Sequence, residues 1–387
     1  MSAIRDICDV EYIDNNILKL STEDLAADII FRRPDIVGFG GTLTEWTQAK
    51  NVAAILPSSI ITIYGGPNAT ANPEKHVKYF DYVLRGWAEE SLKYFILGLS
   101  HGFAPDPIED KIEGCCWDGY IVPAALSCDF NKLNYPARNI IDINWYQRKQ
   151  FDVASPVDIV VASRGCPFDC RFCFSKSIWN REYKKREVEA VIEEIEYMQE
   201  FYGTKTIHFR EDNLTVDHKY LDQLCGELRK LKVDWICQSR IDVLNKEIVQ
   251  IMKASGCKVI CCGFESANDS TLESIHKGFT FKQVCDTIQI FEEVGINYSG
   301  GFIVGLPNEG EEEIKNTLEF AKKVNQLPHS FVPRGAGRFV CWPKSEVYQE
   351  VIDNNLIAYN WQNGEMLIPN TYKLSAQQVE DCIKRYW

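Results

Sequence analysis

The chain has 387 residues, 45% hydrophobic and 25% charged, the balance of an ordinary globular protein with length enough for two well-buried cores. Its 55 acidic against 42 basic residues leave a net charge of -13, which opposes a polyanionic partner and argues against nucleic acid. No apolar run approaches the roughly 18 residues of a membrane helix, and MSAIRDICDV carries charges where a secretion signal would have its apolar core, so its fifteen cysteines predict a reducing, cytoplasmic setting.

Residues 1 to 100 alternate short apolar runs with helical spacing, the pattern of a parallel-sheet α/β unit. Val10 to Ile13 reads as a strand, Leu25 to Arg32 as a helix, and Ile36 to Phe39 as a buried strand ending in Gly40-Gly41. A helix around Gln48 to Leu56 leads to a strand Ile60 to Tyr64, closed by Gly65-Gly66-Pro67, and Tyr82 to Leu84 makes another. Glycine pairs at strand ends admit a ligand to the carboxyl edge of such a sheet, or simply shape a turn. From 101 to 156, Pro105, Pro107, Pro123 and Pro136 interrupt any long periodicity and predict a linker, in which the adjacent Cys115 and Cys116 have a structural use.

From Val157 the pattern becomes repeated strand then helix. Strands read Asp158 to Ala162, Thr206 to Phe209, Val233 to Cys237, Val259 to Phe264, Tyr298 to Val304, and a last one within Ser330 to Val340. Stripes such as Val188, Val191, Ile195 and Leu221, Leu224, Leu228 mark the helices between. Six such units are too few for a closed eight-stranded barrel, so an open, partial barrel is expected, with its site at the strand ends.

The first of these strands delivers SRGCPFDCRFCFSK, in which Cys166, Cys170 and Cys173 form a C-x3-C-x2-C array. Thiolates so close on one loop can turn inward onto a soft metal centre. Zinc is the rival, but zinc sites come as paired C-x2-C units or with spaced histidines, and neither follows. Three ligands leave one iron of an iron-sulfur cube open to another ligand.

This loop, with Phe172 before the third cysteine, resembles the cluster loop of the radical S-adenosylmethionine (SAM) enzymes. The resemblance implies a 4Fe-4S cluster whose open iron is chelated by SAM, reductive cleavage to a 5'-deoxyadenosyl radical, and an electron donor such as flavodoxin or ferredoxin. It also implies roles at the strand ends. Glu211 and Asp212 stand where a carboxylate meets the SAM amino group, although either could cap a helix. Ser239 and Arg240 stand where ribose and carboxylate are held, although Arg240 could pair with Asp242. Glu265 belongs to a G-x-E-S-like turn, and Gly301, Ile303 and Gly305 to the stretch that flanks the adenine.

The N-terminal elements, with YGGPNAT and VLRGWAEESL, resemble the cobalamin-binding domain that precedes the barrel in one branch of that family. That fold opens with a strand and helix at the middle of its sheet, whereas this chain opens about where the first helix would end. The D-x-H-x-x-G signature is absent. The expected fold is therefore α/β, a partial (βα)6 radical SAM barrel preceded by a truncated Rossmann-like, cobalamin-binding-like domain, with an incomplete cleft and cobalamin possible but not favoured. The domains fall at 1-100, 101-156 (linker), 157-344 (barrel) and 345-387 (helical tail).

At the end of the sixth strand stands Cys341, in RFVCWPK. Its side chain is either a buried inert thiol or a hydrogen-atom donor to a substrate radical. The second alternative resembles the proteusin-type radical SAM peptide epimerases and implies L-to-D epimerisation in a precursor peptide carrying a leader. The alternative activity is a cobalamin-dependent methyltransferase acting on a small molecule or peptide.

Overall fold

A computed structural model describes all residues except 42–43, 103–108, 127, 147–150, 333–335 and 362–365, together with the side chain of Trp361. Pro105 and Pro107 of the expected linker lie outside the described residues. The chain divides into two compact units, Met1–Tyr146 and Gln147–Trp387.

In the first unit, strands β1 (Ile36–Gly40), β2 (Ile61–Gly65) and β3 (Tyr82–Leu84) run parallel, and β4 (Cys115–Trp117) closes the sheet antiparallel to β3. The sheet is continuous: Ile36 to Gly40 pair directly with Ile61 to Gly65, so no gap stands where a missing central member was expected. Helix Thr22–Arg32, capped by the Ser21 hydroxyl, lays Leu25, Ala26 and Ile29 against Val52 and β1. Helix Glu89–Ser100 inserts Phe95 between Ile63, Leu84 and Cys115, a burial worth about 1.5–3 kcal/mol.

Neighbouring residues of a strand point to opposite faces. Cys116 accordingly joins Tyr64, Phe80 and Val83 in a separate cluster from Cys115, which is why adjacent cysteines serve two cores. The strand expected at Val10 to Ile13 does not form. The segment has no strand partner; Ile13 packs on helix Thr22–Arg32 and Glu11 pairs with Arg32 at 2.7 Å.

The second unit is built on β5 (Val157–Val160), followed by a small antiparallel hairpin, β6 (Ser163–Gly165) and β7 (Tyr183–Lys185). Then come β8 (Thr206–Phe209), β9 (Asp234–Ser239), β10 (Cys257–Glu265), β11 (Asn297–Val304), β12 (Ser330–Phe331) and β13 (Ala336–Arg338). The main sheet runs β5-β8-β9-β10-β11-β12, every pair parallel, with β13 also on β11. This is the open six-unit barrel. Ile207, Phe209, Trp235, Cys237, Cys262, Phe264 and Phe302 face the helices in one large core, and the alternate residues face the barrel interior.

The connecting helices start and stop where their sequences say. Asp217 caps His218–Leu231, Thr280 and Gln283 form a capping box for Phe281–Val294, and Gly203 ends Val188–Tyr202 in the left-handed conformation. The tail is more than helical. Helix Glu346–Asp353 leads to an antiparallel hairpin of β14 (Ile357–Trp361) and β15 (Met366–Pro369), and helix Ala376–Tyr386 inserts Val379 and Cys382 into the barrel core. No described helix is long and apolar enough to cross a membrane.

Candidate active site

Gly165, at the end of β6, has φ +89°, and a Cβ there would stand 2.0 Å from the Glu182 carbonyl. Only glycine fits, and it turns the chain into the cysteine loop. Cys170 is buried, while Cys166 and Cys173 are half-buried. Arg171 anchors the loop's middle, donating to the Ser274 carbonyl at 2.8 Å and pairing with Glu350 at 2.8 Å and Glu346 at 3.3 Å.

The three sulfurs lie close enough for their charges to interact. Burial first, then Asp212 and Cys170, raise Cys166, and Cys173 is pushed up to about 11 by burial, with Cys170, Asp212 and Cys166 adding to it. Two sulfurs also receive donors: Arg240 Nη1 reaches Cys170 Sγ at 3.0 Å, and Ser175 N reaches Cys173 Sγ at 3.4 Å. Among the described residues, no three His, Cys, Asp or Glu side chains converge as ligands of one ion do. Thiolates that bind separate corners of a cube need no such convergence. Soft donors stabilised by hydrogen bonds fit an iron-sulfur cluster held by Cys166, Cys170 and Cys173.

The acidic turn after β8 splits its two carboxyls. Glu211 is buried, faces the backbone N–H of Ala162, and is pushed up to about 7 by burial. It ties β8 to the chain just ahead of the hairpin. Asp212 is exposed and accepts from Ser175 Oγ at 2.8 Å, beside the third cysteine.

Ser239 is buried, its hydroxyl 2.6 Å from that of Thr215 and donating to the Arg240 carbonyl. Arg240 is buried too and heavily engaged. Nε and Nη2 grip Asp242 at 2.9 and 2.7 Å, Nη2 also donates to the Lys277 carbonyl, and the guanidinium lies 3.9 Å from the Phe168 ring centre. The pairing with Asp242 thus exists, part-buried, and it aims Arg240 at a cysteine. In this geometry Arg240 positions Cys170 instead of standing open as a carboxylate clamp.

Glu265, at φ +64°, forms a buried ion pair with Lys277 at 2.6 Å. Lys277 Nζ stands 5.6 Å from the Phe172 ring centre, so the pair backs the cluster loop. Lys277 escaped the sequence reading; its signal was a lysine in the H-K-G turn with no helical stripe to solvate it. Gly301 is exposed toward the interior, and Ile303 and Phe172 each pack against the apolar cluster that holds Leu306 and Phe339. Gly305 has another reason to be glycine: at φ +88°, its Cβ would stand 1.7 Å from Arg338 Nη1. Glu309, also missed, accepts from Gly305 N and Leu306 N at 2.7 and 3.0 Å and fixes that turn.

Cys341 is fully buried among Leu306, Phe339, Val347 and Leu367, and burial pushes its thiol up to about 12. Its backbone bridges Leu367 at both N–H and carbonyl. The side chain is fully buried, as the inert-thiol alternative expects.

Residues 160–321 match the Radical SAM superfamily, and with the barrel and cysteine loop this makes the segment a radical SAM domain, the class that carries a 4Fe-4S cluster and SAM. The chain as a whole is similar to an uncharacterized methyltransferase of Pyrococcus horikoshii, 29% identical over 403 residues, 99% of this chain and 84% of that one. It is also similar to the anaerobic magnesium-protoporphyrin IX monomethyl ester cyclase of Rubrivivax gelatinosus, 26% identical over 359 residues, 89% of this chain and 63% of that one. Among solved structures, the cobalamin-dependent SAM radical enzyme OxsB with aqua-cobalamin and SAM bound matches with TM-score 0.78 at 16% identity, over 99% of this chain and 62% of that one. The radical SAM methyltransferase TsrM of Kitasatospora setae, with tryptophan and a SAM analogue bound, matches with TM-score 0.75 at 14% identity, over 98% and 78%. These likenesses show the fold across both units. The chain spans less than two thirds of the cyclase and of OxsB.

Proposed function

We propose that the chain is a cobalamin-dependent radical SAM methyltransferase. The observation that carries this is the extent of the likeness: it takes in the N-terminal α/β unit as well as the barrel, and the cobalamin-bound OxsB shares that fold over 99% of this chain. The relative matched over nearly the whole chain bears a methyltransferase name. Cys341, the residue on which epimerisation rested, is fully buried in apolar packing, which favours its inert alternative.

The residues of the first unit suit a large flat ligand. β1 ends in exposed Gly40 and β2 in Gly65-Gly66, with Gly66 at φ +102° and its would-be Cβ 3.1 Å from the Gly41 carbonyl. A cobalamin would be held at this glycine-lined carboxyl edge, which corrects the expectation that it is not favoured. When bound, cobalamin carries the methyl group, and the cluster with SAM supplies one-electron chemistry to activate a carbon. The protein's own part is to hold the cysteine loop rigid through Arg171, Arg240 and Lys277, and to keep Asp212 beside it for a cationic group. An electron donor such as flavodoxin or ferredoxin completes the partners.

Anaerobic reconstitution with hydroxocobalamin and iron tests this reading. Corrinoid stoichiometric with the chain, and S-adenosylhomocysteine released from SAM under reduction, are expected; protein that retains cluster but no corrinoid would refute it. A second reading, ring closure of the kind named for the R. gelatinosus relative, predicts no S-adenosylhomocysteine.

A further inference from the structure

One layer of inward-facing residues stands in register across the barrel sheet. Gln238 pairs with Cys261, Cys261 with Ser299, and Ser299 with Phe331. Arg210 follows the Phe209–Cys237 pair and therefore stands opposite Gln238 at the same level. Phe209 and Cys237 point to the helices, so alternation turns Arg210 and Gln238 inward. Side by side the layer holds a guanidinium, a carboxamide, a thiol, a hydroxyl and an aromatic ring. None is an acid.

Arg210 is exposed, and among the described residues its guanidinium has no ion pair. Its charge is felt along its own strand and across β9: burial and then Arg210 hold His208 down to about 4, and Arg210 opposes the upward push of burial on Cys261. The nearest carboxyls look elsewhere, Glu211 toward Ala162 and Asp212 toward Ser175. On the same inner face Ile159 is 51% and Phe331 37% exposed, and Phe151 stands edge-on to Phe331 at 5.8 Å. Bare apolar surface on the two end strands, with an unpaired cation after a strand between them, is the chemistry of a recognition site.

We propose that this layer is the substrate-recognition surface of the barrel, and that it takes a molecule with a flat or apolar body and an oxyanion, a carboxylate or a phosphate, gripped by Arg210. A guanidinium presents two parallel N–H donors to such a group. Phe331 and Ile159 receive the apolar body, and Gln238 and Ser299 orient it between them. This assignment rests on the barrel being the chamber of the proposed methyl transfer.

Calorimetric titration of the reconstituted protein with three probes tests it: naphthalene-2-carboxylate, 2-naphthyl phosphate and the neutral naphthalene-2-carboxamide. At least one of the anions should bind more tightly than the amide by about tenfold or more, a charge-assisted hydrogen bond's worth. The tighter anion tells carboxylate from phosphate recognition. Arg210→Gln should abolish the preference while the amide binds as before, Arg210→Lys should keep part of it, and Cys261→Trp, which fills the layer, should remove all three. No saturable binding of either anion, equal binding of all probes, or an anion preference unchanged in Arg210→Gln overturns the proposal. The readout consumes no SAM and needs no methyl transfer, so loss of the methyltransferase reading and loss of this site are seen separately.

Discussion

Arg240 donates through Nη1 to the sulfur of Cys170 at 3.0 Å while its other two nitrogens are fixed on Asp242. A cation held against one cluster ligand makes the reduced, more negative cluster easier to form. Arg240→Gln should lower the reduction potential of the reconstituted cluster on the order of tens of millivolts. Asp242→Asn, which frees the guanidinium to swing, should shift it in the same direction by less. Potentiometry followed by electron paramagnetic resonance reads both; an unchanged potential in Arg240→Gln would show that the contact has no electronic effect.

Single Cys166→Ala, Cys170→Ala and Cys173→Ala proteins should each lose the brown charge-transfer absorption of the cluster and with it SAM cleavage. Cys341→Ala should keep both, because that thiol sits in apolar packing, and should lose only about 1 kcal/mol of stability from the small cavity. Deoxyadenosine formation and a denaturation curve separate the two classes. Loss of substrate turnover in Cys341→Ala, with cluster and SAM cleavage both intact, would restore a hydrogen-donor role for it.

The Glu265–Lys277 pair is almost wholly removed from water, the side chains being 10% and 7% exposed. Removing one partner leaves the other charge buried, so Lys277→Met should cost about 3–5 kcal/mol. The double change Glu265→Gln with Lys277→Met should recover part of that loss. Urea denaturation measures it, and additive effects of the two changes would mean that the pair is not coupled.

Two buried groups, one in each unit, should respond to pH with opposite signs. His76 is fully buried, its ring tilted against Tyr64 at 4.6 Å between centres, with both ring nitrogens unpartnered, and burial, then Lys75, hold it down to about 4. Below the ordinary pKa of about 6.5 the unfolded chain takes a proton that the folded unit refuses. Stability of the first unit should therefore fall by roughly 3 kcal/mol as pH drops from about 6.5 to about 4, and His76→Phe should flatten that slope. Glu309 is the reverse case, pushed up to about 7 by burial. Its contribution is full below the ordinary carboxyl value near 4.5 and is lost as pH rises through about 7, a loss that Glu309→Gln should remove. Denaturation midpoints across this range check each sign.

Much of the barrel was legible because its signals are local. A six-fold alternation of apolar runs and helical stripes needs no distant partner to be read, and three cysteines in eight residues announce a cluster loop by themselves. What failed to show depended on who approaches whom in space. The sequence presents Gly305 but not Arg338, which packs against it, and Arg240 but not the thiol at which Asp242 aims it. Val10 to Ile13 has the alternation of a strand but no strand partner among the described residues, and the hairpin of β14 and β15 lies between the two helical stretches of the tail, where its pairing depends on residues the local pattern does not show.

The ion pairs of Arg171 with Glu346 and Glu350, and of Lys176 with Glu346, fasten the cysteine loop to the helix that follows the barrel. The final helix meanwhile supplies Val379 to the packing around Gly305. A fragment cut at the apparent barrel boundary would therefore free the iron-bearing loop on one side, admit dioxygen to it, and bleach within minutes in air conditions that the intact chain withstands for longer.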